Sequence, residues 1–179
     1  DPKIPPINLL DPKFKEKVAK TENPKMRAVE IKNAIRHHIT VSLNDDPAHY
    51  RKLSERLEEI IQKYYDNWEE QARQLLLFKE ECMNEPTPPE GLTNAELPFY
   101  NLYTEVLEKH FDEDDVPYED AKKIASELVA YLNEVSQIVD FFNKPDEIRR
   151  LNRKINDLIL QTDHSDQDLI NNITESFMD

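Results

Sequence analysis

The sequence of 179 residues is almost without glycine. Gly91 stands alone, where about 7% would be usual. A phosphate-cradling P-loop and a dinucleotide fingerprint each need several glycines at fixed spacing, so both are excluded. Folds that place left-handed backbone at many turns are disfavoured, and tight primed hairpins lack their preferred residue. Cysteine is equally scarce: Cys82 is the only one. No intrachain disulfide and no multi-thiolate metal site can form, which fits a reducing compartment. Long apolar runs are missing as well. Stretches such as Leu75-Leu76-Leu77-Phe78 fall far short of the roughly 20 residues of a membrane span. No signal peptide is recognisable, and the start Asp1-Pro2-Lys3 has no methionine, so a piece of something longer is expected.

What is present is charge and proline. Charged residues make up 34% of the chain, hydrophobic ones 38%. The twelve prolines act as punctuation. Pro2, Pro5, Pro6 and Pro12 make an extended lead-in. Asn23-Pro24 and Asp46-Pro47 place a capping residue before a proline at the first helical position. Residues 84–91 form the clearest loop, and Pro117 and Pro145 open the last two main segments. Between these marks the apolar spacing is helical. It runs Ala28, Ile31, Ile35, Ile39 after Pro24, and Tyr50, Leu53, Leu57, Ile60, Tyr64 after Pro47. Asp66 and Glu69 have capping-box spacing, predicting a helix from about Trp68 to Met83. Thr93 and Glu96 repeat the signal before Phe99, Leu102, Val106 and His110, with Pro98 delaying the start. Further stripes are Ala121, Ile124, Leu128, Leu132, Val135, then Ile148, Leu151, Ile155, Leu158, Ile159. A short tail helix uses Leu169, Ile173 and Phe177. Only Gln137–Phe142 looks like a strand, too short and isolated to build a sheet. The expected fold is all-α: a compact, irregular bundle of six to seven amphipathic helices.

The chemistry is sparse. No metalloprotease or nucleophile-elbow motif occurs. His37 and His38 are adjacent, so on a helix they point about 100° apart and cannot clamp one metal. Asp112-Glu113-Asp114-Asp115 are contiguous and have no nearby glycine, unlike a calcium loop, and read as a solvated acidic turn. Cys82 reads as a small buried hydrophobe. Pro145-Asp146-Glu147 lacks the second acid and the lysine on a neighbouring strand that a magnesium-dependent nuclease core needs. Asp146 therefore reads as part of a helix start, where negative charge is favoured.

The charge is unevenly placed. Residues 1–36 carry nine Lys/Arg against five Asp/Glu, while the whole chain is at −14. Residues 105–120 carry eight acids and one lysine, and residues 161–179 five acids and no Lys or Arg. After Pro145, Arg149, Arg150, Arg153 and Lys154 project roughly opposite the apolar stripe. Such a face can hold phosphates with salt-sensitive affinity, or be a solvated face with local ion pairs. Asp146 and Asp157 share it and dilute it. A pI near 4.8 argues against autonomous DNA binding.

The segment 23–65, NPKMRAVEIKNAIRHHITVSLNDDPAHYRKLSERLEEIIQKYY, has an AIRxHI helix end, an acidic DP cap and a Y…LSERLEEI helix. It resembles the C-terminal helical region of the motor/restriction (R) subunit of type I restriction–modification enzymes. Asn67-Trp68-Glu69-Glu70, Ala125-Ser126-Glu127-Leu128 and VDFFNKPDEIRRLNRKI resemble later elements of the same region. The resemblance covers roughly residues 23–160. It implies a C-terminal helical domain over 23–160; prolines, charge and apolar spacing add the expectation of a lead-in linker with a short helix over 1–22 and an acidic tail with one short helix over 161–179. It implies a parent that is an ATP-dependent DNA translocase and site-specific deoxyribonuclease, using ATP and Mg in domains upstream of this chain. No catalytic, cofactor or metal residue carries over, so no enzyme activity and no cofactor is expected in this fragment. Its helices are expected to dock the motor subunit onto the methyltransferase–specificity core and to border the DNA path in a bacterial cytoplasm. The expected partners are the rest of the motor subunit, that core, and the backbone of double-stranded DNA, but no membrane. The candidate contacts are Arg36, His38, Arg51, Lys52, Arg56, Arg149, Arg150, Arg153 and Lys154. Arg36 and Arg56 can equally be ion-pair partners within the domain. The alternative function is an autonomous, nonspecific DNA-binding helical domain.

Overall fold

Proline and capping residues decide where the helices start. In a computed structural model, which describes residues 6–138, 140–162 and 171–175, the fold is all-α and no strand occurs among the described residues. The chain divides into two units, Asp1–Pro86 and Thr87–Asp179, at the proline-rich loop.

The first unit holds α1 (Phe14–Ala19), α2 (Pro24–Ser42), α3 (Pro47–Lys63) and α4 (Trp68–Met83). Asn23 accepts hydrogen bonds from the N–H groups of Lys25 and Met26, and Asp46 accepts one from His49 N–H, each just before a proline at the helix start. These carboxamide and carboxylate oxygens satisfy N–H groups that have no partner inside the helix. At α4 the expected extent holds, but the cap is one residue later than the Asp66–Glu69 spacing predicts. Asn67 Oδ1 accepts from Glu70 N–H at 3.1 Å. Helix α2 packs against α1, α3 and α4, burying Ala28, Ile31, Ala34, Ile35 and Ile39. Opposite lie Leu53, Leu57 and Ile60 of α3, and Ala72, Leu75, Phe78 and Cys82 of α4. Leu9, Phe14 and Val18 are buried in the same core. Buried Gln71 ties α3 to α4: its Nε2 donates to the carbonyls of Ile61 (3.2 Å) and Tyr64 (3.1 Å), which lie at the end of α3.

The second unit holds α5 (Leu97–His110), a 3-10 turn (Glu113–Asp115), α6 (Tyr118–Val135), a second 3-10 turn (Phe141–Asn143) and α7 (Pro145–Leu160). None of these three α-helices has a side-chain cap bond. Pro98 sits in the first turn of α5, where its missing N–H is harmless, so the helix begins at Leu97. The Thr93–Glu96 pair is made as a back-reaching carboxylate: Glu96 accepts from Thr93 N–H at 2.7 Å and from its hydroxyl at 3.0 Å. These bonds hold the Glu96 pKa below the usual carboxylate range. The single glycine sits at φ +89°, in a turn closed by Leu92 N–H donating to Pro89 C=O, where only glycine is unstrained.

The buried face of α5 is centred on Leu102, Tyr103 and Leu107, whereas the spacing suggests Phe99, Leu102, Val106 and His110. Phe99 and Val106 are half-buried and His110 is exposed. Helix α6 packs against α5 and α7 through Ala121, Ile124, Ala125, Leu128 and Val135. Helix α7 contributes Leu151, Ile155, Leu158 and Ile159. The strand-like segment 137–142 is turn and 3-10 helix wherever it is described. Its Phe141 is buried and Ile138 packs against the same core, and Asp140 turns the chain at φ +56°. Residues 171–175 are helical, with Ile173 buried; Leu169 and Phe177 lie outside the described residues.

Candidate functional site

The candidate basic residues fall into two sets, one in each unit. In the first unit, Arg36 is exposed on α2 and pairs with Glu58 of α3. Arg56 pairs with Glu59 at 3.1 Å, one turn away on α3. Arg56 also lines a recess of about 260 Å³ with Glu59, Lys63, Tyr64, Gln74 and Leu77, so both charge signs meet there. Arg51 and Lys52 are exposed on the same helix, and each is engaged by neighbouring groups. His38 is half-buried and meets the Tyr50 ring edge-on, with centroids 6.2 Å apart. His37 is exposed.

In the second unit, the helical period of α7 sends Leu151, Ile155 and Leu158 inward, so Arg149, Arg150 and Arg153 point to solvent. Arg149 pairs with Asp146, and Arg150 with Glu147 at 2.9 Å. Lys154 lies 5.9 Å from the centre of the Tyr131 ring, a weak cation–π contact. Arg153 forms no ion pair among the described residues. Glu147, which the sequence offers only as part of the triplet Pro145-Asp146-Glu147, neutralises Arg150; its spacing three residues ahead of an arginine is the signal that reveals the pair. The arginine faces are therefore interleaved with carboxylates rather than uniformly positive.

Titration is perturbed elsewhere. Burial pushes the Cys82 thiol up to about 12, so at neutral pH it is a protonated core group rather than a nucleophile. Burial likewise raises the Tyr103 phenol to about 12. Arg73, with help from Gln74, holds Glu70 down to about 2 on the surface of α4. Asp112–Asp115 lie exposed around the first 3-10 turn. No group of three His, Cys, Asp or Glu side chains is placed to hold a metal ion among the described residues, and no helix there is long and apolar enough to cross a membrane.

The sequence pattern described as "Type I restriction enzyme HindI endonuclease subunit-like, C-terminal" matches residues 1–178, and the chain belongs to this family. A putative type I restriction enzyme MjaIXP endonuclease subunit from Methanocaldococcus jannaschii is 26% identical over 191 residues. The match takes in 98% of this chain and 17% of that protein, so the chain spans about a sixth of the relative's length. No solved structure matches.

Proposed function

We propose that the chain is a non-catalytic assembly domain of a type I restriction motor subunit. It docks that subunit onto the methyltransferase–specificity core, and its exposed arginines add phosphate contacts along the DNA path. In this reading it works in the cytoplasm, and ATP and Mg are used by domains outside the chain. The observation that carries it is the pairing of the candidate cations. Arg36, Arg56, Arg149 and Arg150 each have a carboxylate partner in a chain of net charge −14. Such a surface repels DNA at long range, while paired charges suit a protein interface that needs orientation more than raw attraction.

Deleting residues 23–160 from the parent subunit tests the reading. Assembly with the methyltransferase–specificity core should be lost while the upstream domains stay folded. Assembly and DNA-dependent ATP hydrolysis that survive unchanged would remove it. The rival, autonomous DNA binding, is favoured only by the cluster Arg149–Lys154. A gel-shift titration of the chain against salt decides between them. Submicromolar binding with a steep salt slope supports the rival, and no binding at low salt eliminates it.

A further inference from the structure

The second unit contains an apolar groove of about 640 Å³ at the start of α5, the end of α6 and the turn that follows. Phe99, Leu132, Val135, Ile138 and Phe141 form most of its wall, and Asp140 edges it. Phe99, Leu132 and Ile138 are only half-buried, so apolar surface stays open to solvent where an inserted side chain would remove it from water. Asp140, in the left-handed region at φ +56°, turns the chain between Ile138 and Phe141 and so sets the end of the groove.

The charge around the groove is one-sided. Asp140 lines it, and Glu96 and Glu134 adjoin lining residues in the sequence; Lys144 is the one base that does. Helix α6 ends here, and its last turn carries no basic residue. Its carbonyl end therefore adds negative potential, against which stand only Lys144 beyond the turn and Lys154 of α7, which lies over the Tyr131 ring. The unit as a whole has 8 Lys/Arg against 21 Asp/Glu, a net −13.

We propose that this groove docks a segment of another protein that presents a bulky apolar side chain flanked by Lys or Arg. Resting on the assembly reading above, that segment belongs to the methyltransferase–specificity core. The apolar insertion supplies most of the affinity, as buried anchors do at protein interfaces. The acidic rim supplies orientation and encounter rate, and turns away acidic segments and nucleic acid.

The test uses the full parent subunit, titrated against the purified methyltransferase–specificity core. Leu132→Glu puts a carboxylate into the groove and should weaken association about tenfold or more, with far-UV circular dichroism and melting unchanged. A second variant, Glu134→Lys with Asp140→Asn, changes only exposed groups and keeps a residue tolerant of left-handed backbone at 140. It should weaken association several-fold at low salt and less at high salt. If both variants associate normally while removal of residues 1–179 abolishes assembly, the assembly reading stands and the groove proposal falls. If removal of residues 1–179 leaves assembly intact, the assembly reading fails first. Truncation after Thr162 that tightens association would identify the chain's own tail as the occupant. Loss of self-association in Leu132→Glu would identify a second copy. Either result overturns the proposal.

Discussion

The first unit carries 15 Lys/Arg against 16 Asp/Glu and the second 8 against 21, so net charges of −1 and −13 make up the chain's −14. The helix starts differ in the same sense. Asn23, Asp46 and Asn67 cap α2, α3 and α4 with side-chain bonds, whereas α5, α6 and α7 have none. In the first unit, local sequence signals and core packing agree on the starts of α2 and α3 and, to within one residue, of α4; the short α1 has no side-chain cap. In the second, prolines at or near the helix starts set only the backbone, and burial of Tyr103, Leu107, Leu128 and Ile159 must outweigh repulsion among like charges. Compaction there depends more on the core and on ionic strength.

Truncating each core should give the largest effects and tests whether the division is thermodynamic. Leu75→Ala in the first unit and Leu128→Ala in the second remove side chains with no more than 1% exposure, each costing about 2–5 kcal/mol. Trp68, the only tryptophan, lies on α4 against the first core. Its fluorescence should follow Leu75→Ala, while far-UV circular dichroism registers both variants. Coincident shifts of both probes in both variants would show that the two units unfold as one block.

Alkali should separate the units next. The folded pKa values of Cys82 and Tyr103 are raised by burial, from 9.0 and 10.0 to about 12 each. Unfolding lets each group ionise at its ordinary value. The stability each contributes is thus complete below pH 9 or 10 and is lost as pH rises towards 12. The loss is roughly 2–4 kcal/mol per group at about 1.4 kcal/mol per pH unit. Urea titrations between pH 8 and 11 should show Cys82→Ala flattening the decline in the first unit, beginning near pH 9. Tyr103→Phe should flatten it in the second, beginning near pH 10. A decline unchanged by Tyr103→Phe would mean that this phenol is not excluded from water.

Caps come third. Asn67→Ala leaves Glu70 N–H without its acceptor and should cost about 1 kcal/mol, read from the Trp68 transition. Thr93→Ala in the second unit removes one donor to Glu96 but no helix cap, so the effect should be smaller. Equal effects would erase the contrast in helix starts.

Much of the fold was legible because its signals are local. Pro24, Pro47, Pro117 and Pro145 mark helix starts, and the apolar periods of α2, α3, α6 and α7 point to the faces that are buried. Helix α5 was misread because Phe99, Tyr100, Leu102, Tyr103, Val106 and Leu107 spread apolar side chains over nearly half the helix circumference, so spacing alone does not fix the centre of the buried stripe. Its inward face is chosen by α6, which no window of local sequence contains. Asn67 displaces Asp66 as a cap because two capping residues stand side by side. The segment 137–142 looks like a strand because Ile138 and Phe141 wall a groove and close a core rather than alternate across a sheet. As for the site, the exposure of Arg149, Arg150 and Arg153 followed from the period of α7. The pairing of Arg36 with Glu58 joins different helices, so only the packing of α2 on α3 reveals it.

The smallest effects bear most directly on the candidate contacts. Double-mutant cycles on Arg36–Glu58 and Arg150–Glu147 should each give a coupling of about 0.2–1 kcal/mol, because Arg36 and Glu58 are both solvent-exposed and Arg150, though its partner Glu147 is half-buried, is exposed as well. The single variants should differ by unit. Arg36→Ala should lose little beyond its coupling to Glu58, since the surrounding unit is nearly neutral. Arg150→Ala should lose more than its coupling to Glu147, because it removes one of eight cations facing 21 acids, and added salt should shrink that excess. Glu147→Ala should be close to neutral, as losing one pair also relieves repulsion. Couplings this small would leave the arginines free to exchange an intramolecular carboxylate for a partner's carboxylate or phosphate at little cost. A coupling well above 1 kcal/mol at either pair would bind that arginine to its own fold and remove it from the set of partner contacts.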